Sequence, residues 1–342
     1  MNLPVPPYWV RRLVLVPLVF ALATVAVFGI PLTLAALLLL SFLIPGKWRP
    51  LRLAGFTLVY LTMEWVGLIA AFVLWLLSGF GLFLKRPWFQ QRHYGLLRTM
   101  LASLVWVAER MFRLSIVTEG DEPEAADVSS DRPALVLSRH AGPGDSFLIV
   151  DRLLRVRRRQ PRIVLKSTLQ LDPIIDVVLN RLPCRFVDAA PGAGARTVQA
   201  IEELAAGMSE QDALVIFPEG GNFTPGRRLR AIERLRASGR DDAAERAERL
   251  RHTLPPRPAG VFAARSSAPE AGIAVVAHTG LDRMNTLRDV WRELPQEKTL
   301  LVTWRWFAAT DVPDDLPGLA DWLNAVWSGV DGWIAANQPP AA

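Results

Sequence analysis

One cysteine, Cys184, stands in a chain of 342 residues. That excludes an internal disulfide and a cysteine-built metal cluster, and it fits a reducing setting. Lysine is nearly as scarce. Lys47, Lys85, Lys166 and Lys298 are the only four, so arginine supplies most of the 39 Lys+Arg that stand against 33 Asp+Glu. Imidazole chemistry has four candidates: His93, His140, His252 and His278. No Gly-x-Ser-x-Gly occurs, and no Asp lies three residues before His278, which argues against a serine hydrolase despite Gly144-Asp145-Ser146. Charge itself is missing from Leu13–Ile44 and, apart from Glu64, from Leu53–Leu84.

Those two runs dominate the N-terminal quarter. A bilayer takes roughly 20 apolar residues per helix, so each run is long for one upright span and short for two. Two readings stay open. In one, each run crosses once. In the other, both are re-entrant hairpins, breaking near Gly29-Ile30-Pro31 and near the middle of the second run. The hairpins keep the basic clusters Arg11-Arg12, Lys47/Arg49/Arg52 and Lys85-Arg86 on one side, as the positive-inside tendency favours. Trp9, Trp48, Trp88 and Tyr94 suit membrane interfaces. The net charge of +6 sits largely beside these runs, which favours lipid headgroups over nucleic acid.

Tyr94–Phe112 has the apolar spacing of an amphipathic helix, and a polar linker follows over Glu119–Pro133. Beyond it, short apolar runs alternate with helical patterns. Strands are expected at Ala134–Ser138, Arg162–Leu165, Cys184–Val187, Ala213–Phe217, Gly272–Ala277 and Thr299–Trp304. Helices are expected at Phe147–Arg155, Pro173–Asn180, Ala195–Met208 and Leu316–Ala336. This alternation predicts an α/β fold, a mostly parallel sheet sandwiched by helices, preceded by N-terminal membrane helices. The expected division is 1–93 anchor, 94–336 main domain and 337–342 tail. Arg227–His252 reads as a solvated helical excursion with i,i+4 ion pairs.

Two motifs carry chemistry. Ser138-Arg139-His140-Ala141-Gly142-Pro143-Gly144-Asp145 follows a predicted strand, and its small residues permit a tight turn. Asp145, opening the next helix, is placed to accept the Nδ1–H of His140 and leave Nε2 as a base. Phe217-Pro218-Glu219-Gly220 ends another predicted strand and offers a second polar corner. Backbone N–H groups around Gly142–Gly144 are candidates for stabilising an oxyanion. Asn222-Phe223-Thr224 matches a glycosylation acceptor, but it adjoins this corner.

With these blocks the sequence resembles the PlsC-type lysophospholipid/glycerolipid acyltransferases, over roughly residues 100–335. His140 and Asp145 match the family's first block, and Phe217–Gly220 matches its third. Lys166, Leu171-Asp172-Pro173 and Pro183–Asp188 match the second in part, and Ile273–Ala277 matches the fourth loosely. The resemblance implies acyl transfer from acyl-CoA or acyl-carrier protein to a lysophospholipid hydroxyl, most simply that of 1-acylglycerol 3-phosphate. His140 would be the base, Asp145 its orienter, and Glu219 and Gly220 the acceptor corner. No cofactor beyond the donor is expected. Membrane lipids are the expected surroundings, with the catalytic domain on the cytoplasmic side.

Departures accompany the match. The common family form continues Thr-Arg after the third block, where Gly221-Asn222 stands here; its second block ends in arginine where Ala189 stands. Phe223-Thr224, Pro255-Pro256-Arg257 and Asp311-Val312-Pro313 look more like the lysocardiolipin-acyltransferase-like branch. Arg185, Arg227, Arg228 and Arg257 are candidates to replace the missing guanidinium at a phosphate, and Lys166 is a candidate for coenzyme A phosphates. A larger acceptor headgroup is one alternative. A catalytically silent lipid-binding protein is the other.

Overall fold

The computed structural model describes residues 5–44, 48–119, 132–142, 144–188, 193–280, 291–292, 294 and 297–338. The first uncharged run forms α1 (Tyr8–Phe28) and α2 (Ile30–Leu43), parted at Gly29. Pro31 has no N–H to give to the preceding turn, and Gly29 relaxes to φ −81°, ψ 0°. The second run does not break. α3 (Arg49–Leu77) is continuous over 29 residues.

Trp65 donates its indole N–H to Thr24 at 3.0 Å, and Leu51 N donates to Ser41 Oγ at 3.3 Å. Position thus falls along α3 as it rises along α1 and α2, so both run antiparallel to α3 and the chain does not reverse at Gly29. This overturns the paired re-entrant hairpins; local apolar length suggested two folds where helix-on-helix packing selects two long lines. α1 and α3 are long and apolar enough to cross a membrane, by length and composition.

α4 (Pro87–Phe112) starts a turn and more before the expected helix, with proline in its first turn, where a missing N–H costs nothing. The elements that follow are β1 (Leu114–Glu119), β2 (Ala134–Ser138), α5 (Asp145–Arg155), β3 (Gln160–Lys166), α6 (Pro173–Leu179), β4 (Cys184–Val187) and α7 (Ala193–Ala205). Next come β5 (Asp212–Ile216), α8 (Pro225–Ala237), α9 (Asp241–Arg249), α10 (Pro258–Ser267), β6 (Gly272–His278), β7 (Lys298–Phe307) and α11 (Leu316–Asn337). Most of the predicted linker, and Ala189, lie outside the described residues.

The fold is mixed α/β, with a mostly parallel seven-stranded sheet in the order β1-β7-β6-β2-β5-β3-β4, flanked by helices. β2 pairs parallel with β5 and β6, β3 pairs parallel with β5, and β7 closes antiparallel on β6. Central strands β2, β5 and β6 are buried at every position. Both their faces are covered, which is why they read as unbroken apolar runs and not as alternations. Gly272 is required by close packing: a Cβ there would lie 2.0 Å from Trp306 Cζ2.

The chain divides into two compact units. One joins residues 1–115 to 164–193 and 290–298. Within it, Asp176 is fully buried and receives Arg11 at 3.3 Å and Arg12 at 3.2 Å. Tyr60 donates its hydroxyl to Asp172, and Arg181 donates to the Ala71 carbonyl at 2.7 Å. Gly67 admits Ile174 and Met100, each 3.0 Å from where a Cβ would stand. The partly matched second block thus packs on the apolar helices through a polar seam.

The other unit holds 116–163, 194–289 and 299–342. Its Arg227–His252 stretch is helical as expected, in two helices. Ile232, Ala244 and Ala247, with Leu235 against them, give α8 and α9 a small core of their own. The ion pair between Arg236 and Glu248 crosses from one helix to the other, in place of the expected i,i+4 pairing.

Candidate active site

Register builds the site. Leu137 on β2 is level with Ile216 on β5. His140 and Glu219 each lie three residues further on, so two parallel strands deliver them side by side at their carboxyl ends. Ser138 is level with Val276 on β6, which brings His278 to the same edge. Crevices beyond the carboxyl ends of strands are where open α/β sheets bind ligands.

His140 Nδ1 is 3.0 Å from Asp145 Oδ2 and 3.2 Å from Oδ1. Asp145 is fully buried at the start of α5. Its Oδ2 also accepts the N–H of Ala141 at 2.7 Å and of Gly142 at 3.0 Å, while Oδ1 accepts that of Ser146 at 2.6 Å. Burial is the largest influence on this carboxyl and acts to raise its pKa. The hydrogen bond and charge of His140, the charge of His278 and the Gly142 N–H outweigh burial and hold it below the ordinary value. An ionised acceptor there fixes the His140 tautomer with the proton on Nδ1. The ring stacks on Phe217, 4.4 Å between centroids, and its side chain keeps 20% exposure. Nε2 carries no hydrogen bond among the described residues and is available as a base.

The expected oxyanion role of Gly142 is corrected by this geometry. Its N–H points inward to Asp145 and is not offered to a substrate. Pro143 lies outside the described residues.

Glu219 also turns inward. It is 2% exposed, with Oε1 accepting His140 N–H at 3.1 Å and Oε2 accepting Leu254 N–H at 2.8 Å. Burial raises its pKa to about 7, against the opposing pull of those two N–H groups and of Arg139. Both carboxylate oxygens of Glu219 thus serve as a brace. Glu219 ties the histidine backbone to the segment after α9. Phe223 N–H completes the clamp by donating to the His140 carbonyl at 2.7 Å. Gly220 sits at φ +67°, where glycine is favoured, and its open face is filled by Arg257.

Residues without a motif complete the frame. Arg139 is fully buried and donates to the carbonyls of His278 at 2.8 Å and His252 at 2.9 Å. Asp331 on α11 accepts N–H groups of Arg251 at 3.0 Å and His252 at 2.7 Å, and the Thr253 hydroxyl at 3.0 Å. The only sequence signal for Arg139 is its place beside His140; Asp331 has none.

The arginine candidates part company. Arg228 donates to the carbonyls of Leu250 and Glu248 at the end of α9, which commits it to structure. Arg227 lies against Gly221 and Arg257 against Gly220. Lys166, ending β3, and Arg185, in β4, belong to the other compact unit.

Residues 118–276 match the acyltransferase family model, the PlsC-type family. The matched stretch covers a little under half of the chain. It contains His140, Asp145, Glu219 and the α8–α9 excursion, and it supports a general acyltransferase function. A comparison with curated proteins found no match.

Proposed function

We propose that the chain is a membrane-bound O-acyltransferase that moves an acyl group from acyl-CoA or acyl-carrier protein to the free hydroxyl of 1-acylglycerol 3-phosphate. The observation that carries this reading is the His140–Asp145 pair, with Nδ1 held by a buried carboxylate and Nε2 open at the sheet edge. His140 Nε2 takes the proton of the acceptor hydroxyl as that oxygen bonds to the thioester carbonyl carbon. Asp145 stabilises the imidazolium so formed. When the tetrahedral adduct collapses the C–S bond breaks, and the imidazolium returns the proton to the leaving sulfur. No covalent enzyme intermediate is needed. The apolar helices α1 and α3 support a location at the lipid that supplies the acceptor, with the catalytic domain facing the cytoplasm.

A larger headgroup is the second reading, favoured by Gly221-Asn222 standing where the common family form has Thr-Arg. Membrane preparations given labelled oleoyl-CoA and a panel of lysophospholipids test both. Incorporation that depends on His140 is expected, and the best acceptor names the headgroup. Equal incorporation by wild type and His140→Ala into every acceptor would end the proposal.

A further inference from the structure

Asp145 has a second imidazole beside it. His278 ends β6 and is 1% exposed, which keeps it from substrate. Its Nε2 lies 3.2 Å from the Arg139 carbonyl oxygen and 3.8 Å from Asp145 Oδ2, the oxygen that also takes His140 Nδ1–H. A carbonyl oxygen only accepts, so Nε2 carries a proton and donates it to Arg139. The same N–H lies beside the carboxylate, close enough for its dipole to act there in a dry pocket.

The link runs both ways. The Arg139 guanidinium donates to the His278 carbonyl at 2.8 Å, and the Arg139 N–H donates to the Val276 carbonyl at 3.1 Å. The two residues thus lock the end of β6 to the backbone that leads into His140. The charged or titratable groups gathered here are His140, Asp145, His278, Arg139 and Glu219. Only His140, with 20% of its side chain exposed, opens outward; the other four are buried. Burial alone would favour a protonated Asp145, and His278 is among the influences that keep it ionised.

We propose that His278 is a positioning residue for acyl transfer, its Nε2–H fixing the backbone before His140 and steadying the Asp145 carboxylate from a second direction. This rests on the acyltransferase reading and adds a residue that touches no substrate. The proton taken from the acceptor hydroxyl has two places to rest, His140 Nε2 and, by transfer across Nδ1–H, the carboxylate. A donor beside the ionised carboxylate lowers its affinity for a proton. The proton therefore stays on the imidazole, from which it passes to the sulfur as the C–S bond breaks.

The test uses the full-length protein in mixed micelles, with His278→Leu, His278→Asn and His278→Gln, each normalised by a thermal melt. Leucine removes the donor, asparagine is polar but too short, and glutamine returns an N–H to the Nε2 place. The acid limb of kcat/KM reports the coupled His140–Asp145 pair. Without the donor the carboxylate binds protons more tightly and holds the imidazolium more strongly, so both steps of the pair move to higher pH. His278→Leu and His278→Asn are expected to raise the limb by about 0.5–1 pH unit, and His278→Gln to bring it back. A residue that serves the fold alone would lower the active fraction and leave the limb in place. An unmoved limb in the leucine and asparagine variants would overturn the proposal, as would a glutamine variant that shifts as far as they do. Where leucine does not fold, asparagine against glutamine decides.

The Asp145 side-chain carboxyl carbon, followed by NMR through an acid titration without substrate, separates this from the reaction reading. If wild type transfers no acyl group yet the Asp145 titration rises in His278→Asn and not in His278→Gln, the reaction reading fails and the hold of His278 on Asp145 stands. If the titration is the same in wild type and every variant, the role of His278 fails whatever the turnover.

Discussion

Replacing Asp145 by asparagine tests the core of the mechanism, because the geometry sets how much must be lost. The carboxylate accepts His140 Nδ1–H, the N–H groups of Ala141, Gly142 and Ser146, and the Ser146 hydroxyl at 3.3 Å. An amide of the same shape keeps one oxygen and turns an NH2 toward donors. With its oxygen in the Oδ2 place, the Ser146 N–H meets the NH2; flipped, Ala141, Gly142 and His140 do. Each buried donor left without an acceptor costs about 1–3 kcal/mol, so the orientation serving Oδ2 is favoured and the folded state loses on the order of 2 kcal/mol.

The rate should fall further than stability alone explains. The imidazolium loses its counter-charge, and general-base assistance of this kind is worth about 10²–10⁴-fold. The expected result is a large fall in kcat, with acceptor KM changed only a few-fold. Asp145 also contributes acid-side stability. Its folded pKa lies below the unfolded value, so that contribution is present above about pH 4 and fades as pH falls through the folded pKa. Asp145→Asn should flatten this acid limb. Turnover measured on protein normalised by a thermal melt decides the matter. Unchanged kcat would leave Asp145 as a loop cap and remove the base mechanism.

Three further outcomes are expected. Glu219 is raised to about 7 in the folded protein, so in the unfolded chain it ionises first as pH rises. Stability should therefore decline between about pH 4.5 and 7, by on the order of 3 kcal/mol. Glu219→Gln should remove this slope in denaturant titrations, and an identical slope in both proteins would refute the burial argument. Arg228→Ala should lower the melting temperature by freeing the end of α9, while acting alike on phosphate and phosphate-free acceptors; a phosphate-selective KM effect would contradict its assignment to structure. Gly272→Ala should be destabilised by about 1–3 kcal/mol through displacement of Trp306, and an unchanged thermal midpoint would show that the indole moves aside freely.

Much of the sheet was legible because burial on two faces leaves a plain trace. Ala134–Ser138 and Cys184–Val187 agree with β2 and β4 to the residue. β1 was missed, since six residues alternating between half-buried and exposed follow a long helix and lack a turn signal of their own. The pairing of His140 with Asp145 was readable from local spacing, because five residues and a glycine turn suffice. The destination of Glu219 was not, since its partners are backbone N–H groups brought in by strand register and by a segment 35 residues away. Arg139 and Asp331 escaped for the same reason: a side chain that serves carbonyls or amides from distant loops leaves no pattern in its own neighbourhood. Helix length was readable in the apolar runs, but the direction of α2 past Gly29 needed the contacts along α3.

The α8–α9 hairpin leaves the domain beside Phe223 and rejoins it at Leu254 and Arg257, and each of these points is fastened to the histidine turn or to Pro-Glu-Gly. With both feet anchored and a hydrophobic interior of its own, the excursion behaves as a removable module. Lengthening or trimming it between the anchors changes chain closure only logarithmically, so descendants of this sequence are free to remodel its outer, arginine-rich face while the imidazole stays where it is.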